Sequence, residues 1–379
     1  MSHALLSPSS AHKWMVCTPS AKFEARYPDK ESVYEAEGTK AHALCARLLI
    51  LASRAMTLYE AEKIIDYRLP KLDESFDEEM KEAARGYAMF VLTDYFERKE
   101  KVGEARLEVE ALLDLGEFIP EGFGTSDAVI ISGNTLHVID FKYGKGVRVE
   151  AENNPQMLIY AVGAYSFYNA IYDVDEVLTS IYQPRINNIS TASMTGAGLM
   201  AFAENLKGIA EKASKGKGEF VPGDHCRFCR ARQHCKALTG WAEELRSNLD
   251  ANELQPHDIQ MILLRSDAIK SWLSAVEDYA LESAIAGNAI PGFKIVEGRS
   301  VRKYSDENKV AEVLESNGFM DIWKKSLKTI TEMEKMITKK TFATLLSGLI
   351  IKPSGKPTLV PENDPRPDFN SAETDFKDI

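Results

Sequence analysis

The chain has 379 residues, 44% hydrophobic and 27% charged, with a formal net charge of −11. That balance belongs to a globular protein of more than one average domain. It excludes a uniformly basic surface that coats nucleic acid, and no apolar run is long enough for a membrane-spanning helix. No basic segment followed by an apolar core opens the sequence, so a cytoplasmic location is expected. An odd count of 5 cysteines argues against a disulfide framework.

In chain order, "SPSSAHKWMVCTPSAKFEARYPD" is turn-rich with one short helical patch. A helix is expected to follow Glu37-Gly38-Thr39 and to carry His42 and the apolar group around Leu44. "DEEMKEAARGYAMFVLTDYFERK" reads as a second helix, with acids early and bases late as the helix dipole prefers. The period then changes to that of strands in "ARLEVEALL", "GTSDAVIIS" and "TLHVIDFKY". "NNPQMLIYAVGAYSFY" returns to helix, with Asn154 as its cap and Pro155 in the first position. "EVLTSIYQP" is another strand, "MAFAENLKGIAEKAS" another helix, and "KGKGEFVPGDH" a linker. This order predicts an α/β core with a small mixed sheet flanked by helices. Residues 1–240 are expected to form this domain. Residues 241–360 are expected to form a mainly helical one with a strand at "GFKIVEGRSVRKY", and 361–379 an acidic tail.

Gly133-Asn134 suits a two-residue hairpin loop between the second and third strands. With that turn Ser132 meets Thr135, Ile131 meets Leu136, Val129 meets Val138, and Asp127 lies opposite Asp140. Opposed β-carbons are roughly 5 Å apart, so two carboxylates there repel unless a cation lies between them. A hard divalent ion suits such a pair. Asp140 and Lys142 share a strand face while Phe141 points away, and Glu110 at the end of the preceding strand is a further candidate ligand. Each acid alone reads first as a solvated strand end, with Lys142 pairing one of them, a kind of pair worth little; their conjunction on two apolar strands favours a site.

These residues resemble the PD-(D/E)XK nuclease superfamily, in its RecB/AddB-like branch. "GTSDAVI" supplies the first aspartate, "VIDFKYG" the D-x-K, "QMLIY" a Gln-x-x-x-Tyr on the next helix, and "EGTKAH" a histidine motif. The chain is also similar to a family of phage and prophage proteins, on "GFKIVEGRSVRKY" and "GKPTLVPENDPRP". The resemblance implies a restriction-endonuclease-like core in which Asp127, Asp140 and His42 hold Mg²⁺ or Mn²⁺. Lys142 would be the catalytic lysine, and Gln156 and Tyr160 would position the site.

Cys226-x-x-Cys229 followed by Cys235 places three thiols close together. With Cys17 they resemble the [4Fe–4S] staple of AddB-type nucleases, which needs four sulfurs. Structural Zn²⁺ is the alternative, with His225 or His234 as the fourth ligand. Cys45, within an apolar helix, reads as packed. Lys145, Arg148, Arg227 and Arg230, with Arg232 and Lys236, are expected to offer a basic path to phosphates.

The expected function is therefore a metal-dependent DNA nuclease. The resemblance implies an exonuclease acting on single strands or duplex ends in phage or prophage recombination or processing. The alternative is a catalytically silent DNA-binding or protein-interaction component, serving a phage recombinase or polymerase.

Overall fold

The computed structural model describes residues 4–28, 33–71, 76–247 and 254–293. The expected strand "GFKIVEGRSVRKY" beyond Phe293, the remaining C-terminal region and the acidic tail lie outside the described residues. The chain forms two compact units, Met1–Glu282 and Ser283–Ile379.

In the first unit, short helices α1 (Ala11–Trp14) and α2 (Ser20–Glu24) precede α3 (Val33–Ala52), α4 (Leu58–Arg68) and α5 (Glu78–Val102). Strands β1 (Arg106–Asp114), β2 (Phe123–Ser132) and β3 (Thr135–Phe141) follow, then α6 (Pro155–Tyr172) and β4 (Glu176–Gln183). After them come β5 (Asn188–Thr195), α7 (Gly196–Ser214), α8 (Lys236–Ser247) and α9 (Pro256–Ile285). The initial segment thus holds more helix than the one patch expected, and α4 and β5 add to the expected order.

The sheet runs β1-β2-β3-β4-β5. Neighbours are antiparallel except β3 and β4, which are parallel and joined through α6. The mixed α/β architecture expected from sequence is present. The hairpin register is also the one counted from the turn: Ser132 opposes Thr135, Ile131 opposes Leu136 and Val129 opposes Val138. Gly133 takes φ +56°, a left-handed conformation that glycine adopts without strain.

β2 and β3 are buried on both faces because helices cover both. Val129, Ile131, Leu136 and Val138 pack with Met157, Ile159 and Val162 of α6 and Leu199 of α7. Ala128, Ile130, Ile139 and Phe141 pack instead with Leu44 and Leu48 of α3 and Tyr87, Val91 and Leu92 of α5. Asn154 caps α6 by accepting from the amides of Gln156 and Met157, with Pro155 next in line, as its sequence predicts.

The start of α3 differs from expectation. Glu37-Gly38-Thr39 lies inside the helix, and the Thr39 hydroxyl donates back to the Glu35 carbonyl at 3.0 Å instead of capping. β1 also departs from simple alternation. Glu110 has φ +52°, and the packing switches sides across it. Leu107 and Val109 join the α3–α5 cluster, whereas Ala111 and Leu113 join the α6–α7 cluster.

Candidate active site

The paired ladder between β2 and β3 ends at Ala128 and Ile139, and Asp127 and Asp140 are the next residues along the two strands. On the other side, the pairs Val109–Ala128 and Ala111–Ser126 place Glu110 beside Asp127. The face switch at Glu110 therefore falls at the acids, where side chains from both helical layers converge.

From α3, His42 Nδ1 lies 2.8 Å from Asp127 Oδ1. The other Asp127 oxygen accepts the Phe141 amide at 2.7 Å, which ties the ends of β2 and β3 together. Lys142 Nζ lies 3.0 Å from Asp140 Oδ2 and donates to Gln156 Oε1 at 2.9 Å. Gln156 Nε2 donates to Asp140 Oδ1 at 3.1 Å and approaches the Tyr160 hydroxyl at 3.4 Å. Gln156 and Tyr160, one helical turn apart on α6, thus meet the β3 acid and lysine. The structure brings His42, Glu110, Asp127, Asp140, Lys142, Gln156 and Tyr160 into one neighbourhood. Phe141, between two of them, faces the other way and fills the α3–α5 core.

The electrostatics reflect burial under competing charges. Burial raises the Asp140 pKa; Lys142 pulls it down, Asp127 pushes it up, and the net is upward. Burial works against a proton on His42, but Asp127 outweighs it and raises its pKa. Burial and the Asp127 charge also raise Glu110. Burial, then Asp140, raises Tyr160, so its hydroxyl stays protonated. The side chain of Asp140 is only 4% exposed. Its Oδ2 contacts the lysine but has no hydrogen bond of sound geometry. A buried carboxylate oxygen left in that condition, beside a second carboxylate, fits a divalent cation with hard oxygen ligands. Among the described residues no three His, Cys, Asp or Glu side chains already surround a common point. The acids are instead closed onto His42 and Lys142.

Residues that sequence reading missed hold the loop after β3. Gln183 accepts from the Val149 amide at 2.8 Å and donates to the Val147 carbonyl at 3.0 Å. Asn188 donates to the Val149 carbonyl at 2.9 Å, and Ser190 accepts from the Ala151 amide at 2.9 Å. Arg185, 10% exposed, joins Glu37 at 3.0 Å to Glu79 at 3.2 Å and covers the Tyr143 ring. A polar strand end and a lone arginine carry no local signal of such roles.

Three cations of the expected basic path meet acids: Lys145, Arg148 and Arg227. Lys145 pairs with Glu79 at 3.2 Å, and Arg148 pairs with Glu150. Arg227 lies 3.9 Å from Asp267 and stacks over Phe228. The Arg230 amide donates to Glu24 at 2.7 Å. Arg232 donates to the Cys229 and Ser271 carbonyls.

Cys17, Cys226, Cys229 and Cys235 all line one small pocket, walled by Phe23 and Phe220 among others. The N-terminal segment is fastened there: Lys13 donates to the Phe228 carbonyl at 3.2 Å and Thr18 to the Lys217 carbonyl at 2.6 Å. Burial pushes the Cys17 thiol up, Cys226 to about 11 and Cys229 to about 12. A thiolate there needs a compensating cation. His234 stacks on Tyr27 and meets Tyr279 edge to face, and His225 Nε2 contacts the Val221 carbonyl at 3.0 Å. Cys45 is buried in α3, away from this pocket, where burial raises its pKa strongly.

Among the described residues no helix is long and apolar enough to cross a membrane. A family model described as "Protein of unknown function (DUF2800)" matches residues 3–367. The chain is similar to a solved structure titled "Crystal structure of SSO0001", at 16% sequence identity and a TM-score of 0.23. That match covers 58% of this chain and 95% of the other.

Proposed function

The chain belongs to the DUF2800 family, of unknown function, and from its site we propose that it is a Mg²⁺- or Mn²⁺-dependent deoxyribonuclease of the PD-(D/E)XK kind. The observation that carries this reading is the meeting of Asp127, Asp140, Lys142 and Gln156 at the ends of β2 and β3, with His42 against the first acid.

Asp127 and Asp140 would hold the cation, with His42 and Glu110 beside them. A bound divalent ion supplies Lewis acidity and a water of lowered pKa. Asp140 and Gln156 aim the Lys142 ammonium, which would stabilise the extra negative charge of a phosphodiester as it is attacked. Tyr160 fixes the Gln156 amide. Lys142, together with His42 when protonated, would offset the repulsion between the two neighbouring carboxylates. The four thiols would hold a [4Fe–4S] cluster, closing the N-terminal segment onto the end of the core. Zn²⁺ held by Cys residues and His225 is the alternative occupant. An exonuclease role in phage or prophage DNA recombination or processing agrees with the motifs.

Purified full-length protein should degrade linear DNA with Mn²⁺ or Mg²⁺, and Asp140→Ala should lower the rate at least ~100-fold, the scale of losing one transition-state stabiliser. Intact closed circular DNA in the same mixture would identify an end-dependent enzyme. Failure to cut linear single strands, duplex ends or nicks with either ion would sink the enzyme reading and leave a silent DNA-binding component.

A further inference from the structure

Helix α4 divides its charges. Glu62 and Asp66 face α5, where both pair with Arg85 at 2.9 and 2.8 Å. Glu60 is engaged at the helix start, accepting the Met56 amide at 2.9 Å. The neighbouring stripe carries Tyr59, Lys63, Tyr67 and, just past the helix end, Lys71, each four positions after the last. Positions four apart stack along one helical face.

Both tyrosines are open to solvent, Tyr59 at 67% and Tyr67 at 61%. Each has a lysine against its ring: Lys63 lies 5.3 Å from the Tyr59 centroid and Lys71 3.2 Å from that of Tyr67. Neither lysine is in an ion pair among the described residues. Beside the stripe, Arg47, Arg68 and Lys71 line a groove of about 430 Å³ that has no acidic residue among its lining. Its lining includes Ala43, the residue next to His42 on α3. A local surface of cations and exposed aromatic rings on a chain of net charge −11 is a local departure from the whole.

We propose that the α4 stripe is a platform for single-stranded nucleic acid, with bases stacked on Tyr59 and Tyr67 and phosphates met by Lys63, Lys71, Arg68 and Arg47. Tyrosine faces accept any base, while the lysines and arginines follow the backbone, so the surface fits a strand without sequence preference. The two rings are about 12 Å apart along the helix, from eight residues at 1.5 Å each. A duplex hides its bases from such rings, so duplex ends would engage only where they fray. As the substrate-holding part of the cutting site the platform rests on the nuclease reading; as a binding surface it is measured separately.

The test is fluorescence anisotropy of a labelled 12-residue oligothymidylate with full-length protein in EDTA, where no cutting occurs. Tyr59→Ala and Tyr67→Ala should each weaken binding on the order of 5- to 100-fold, and Tyr→Phe at both should restore it. Lys63→Ala with Lys71→Ala should flatten the salt dependence by roughly 1.4 in log–log slope, two phosphates' worth for a single strand. Matching thermal melts would show that these exposed substitutions leave the fold intact. Affinity and slope unchanged in the variants, or no binding by the wild type at low salt, would overturn the platform. If wild type binds and the variants do not, while Mn²⁺ yields no cleavage, the platform stands and the nuclease reading falls. If Mn²⁺ yields cleavage while the variants bind normally, the reverse holds.

Discussion

Glu110 provides a stringent test of how the site is held. A non-glycine residue in the left-handed region costs roughly 1–2 kcal/mol, and Glu110 has φ +52° inside a strand. Glycine removes that cost but returns about 0.5–1 kcal/mol through the greater freedom of the unfolded chain. The carboxylate also stands beside Asp127, whose charge helps to raise its pKa. Because Glu110 is partly open to solvent, relief of that repulsion adds only some tenths of a kcal/mol. Glu110→Gly should therefore stabilise the metal-free protein by about 1 kcal/mol, or ~2–4 °C in Tm for a unit of this size. It should also lower metal-dependent cleavage. Two comparisons separate the contributions. Glu121, in the turn before β2, has φ +55°, so Glu121→Gly gains the backbone part alone. Glu110→Gln keeps the backbone cost and removes only the charge. Thermal melts in EDTA read all three. If Glu121→Gly melts higher but Glu110→Gly does not, the idea that the site retains a strained acid beside Asp127 is wrong.

Further outcomes follow from the same contacts. Gln156→Leu removes both the Asp140 and Lys142 bonds and should lower kcat about 10- to 100-fold, the usual cost of losing a ligand's supporting partner, with KM for DNA little changed. Asp94 is held below the usual carboxylate range: burial raises its pKa, but the His137 and Arg98 bonds outweigh that. A depressed folded pKa gives stability that is full above the unfolded value, near ~3.9, and is lost as pH falls through the folded value. Asp94→Asn should thus lower Tm at pH 7 and flatten its decline below about pH 4; an unchanged acid limb would refute the assignment. Cys17→Ser should strip most bound iron or zinc from anaerobically purified protein while Cys45→Ser leaves it, as metal analysis and the visible spectrum would show; equal metal in both would remove Cys17 from the ligand set.

Much of the core was legible because its physics is local. The turn at Gly133-Asn134 fixed the strand register, apolar runs marked β2 and β3, and Asn154-Pro155 marked the start of α6. β5 was missed because "NISTASMT" is a polar edge strand whose inward groups are mostly small, with Asn188 bonding the β3–α6 loop. The Glu37-Gly38-Thr39 signal misled because tertiary packing carries α3 through a glycine. The switch of faces at Glu110 has no local sequence signature. It arises from the pairing of two strands, and it falls where a histidine from one layer reaches Asp127 and a glutamine from the other reaches Asp140. Charge composition likewise does not reveal which arginines and lysines of the expected basic path face acids, as Lys145 and Arg148 do.

The fastening of the N-terminal segment has a consequence for how the protein is made. Glu24 is only 4% exposed, and its carboxylate takes one partner from Lys13 and the other from the amide of Arg230, 206 residues later. A ribosome needs on the order of 10–40 s to cover that interval at ~5–20 residues per second. During that time the first helical turns have emerged and can pack on α6 and α7, but they lack the later segment that closes over Glu24. The Cys17 thiol waits in the same half-finished state for Cys226, Cys229 and Cys235. Fastening of the N-terminal segment is therefore completed only by residues 217–238, and fragments ending before them leave Glu24 and Cys17 without their distant partners.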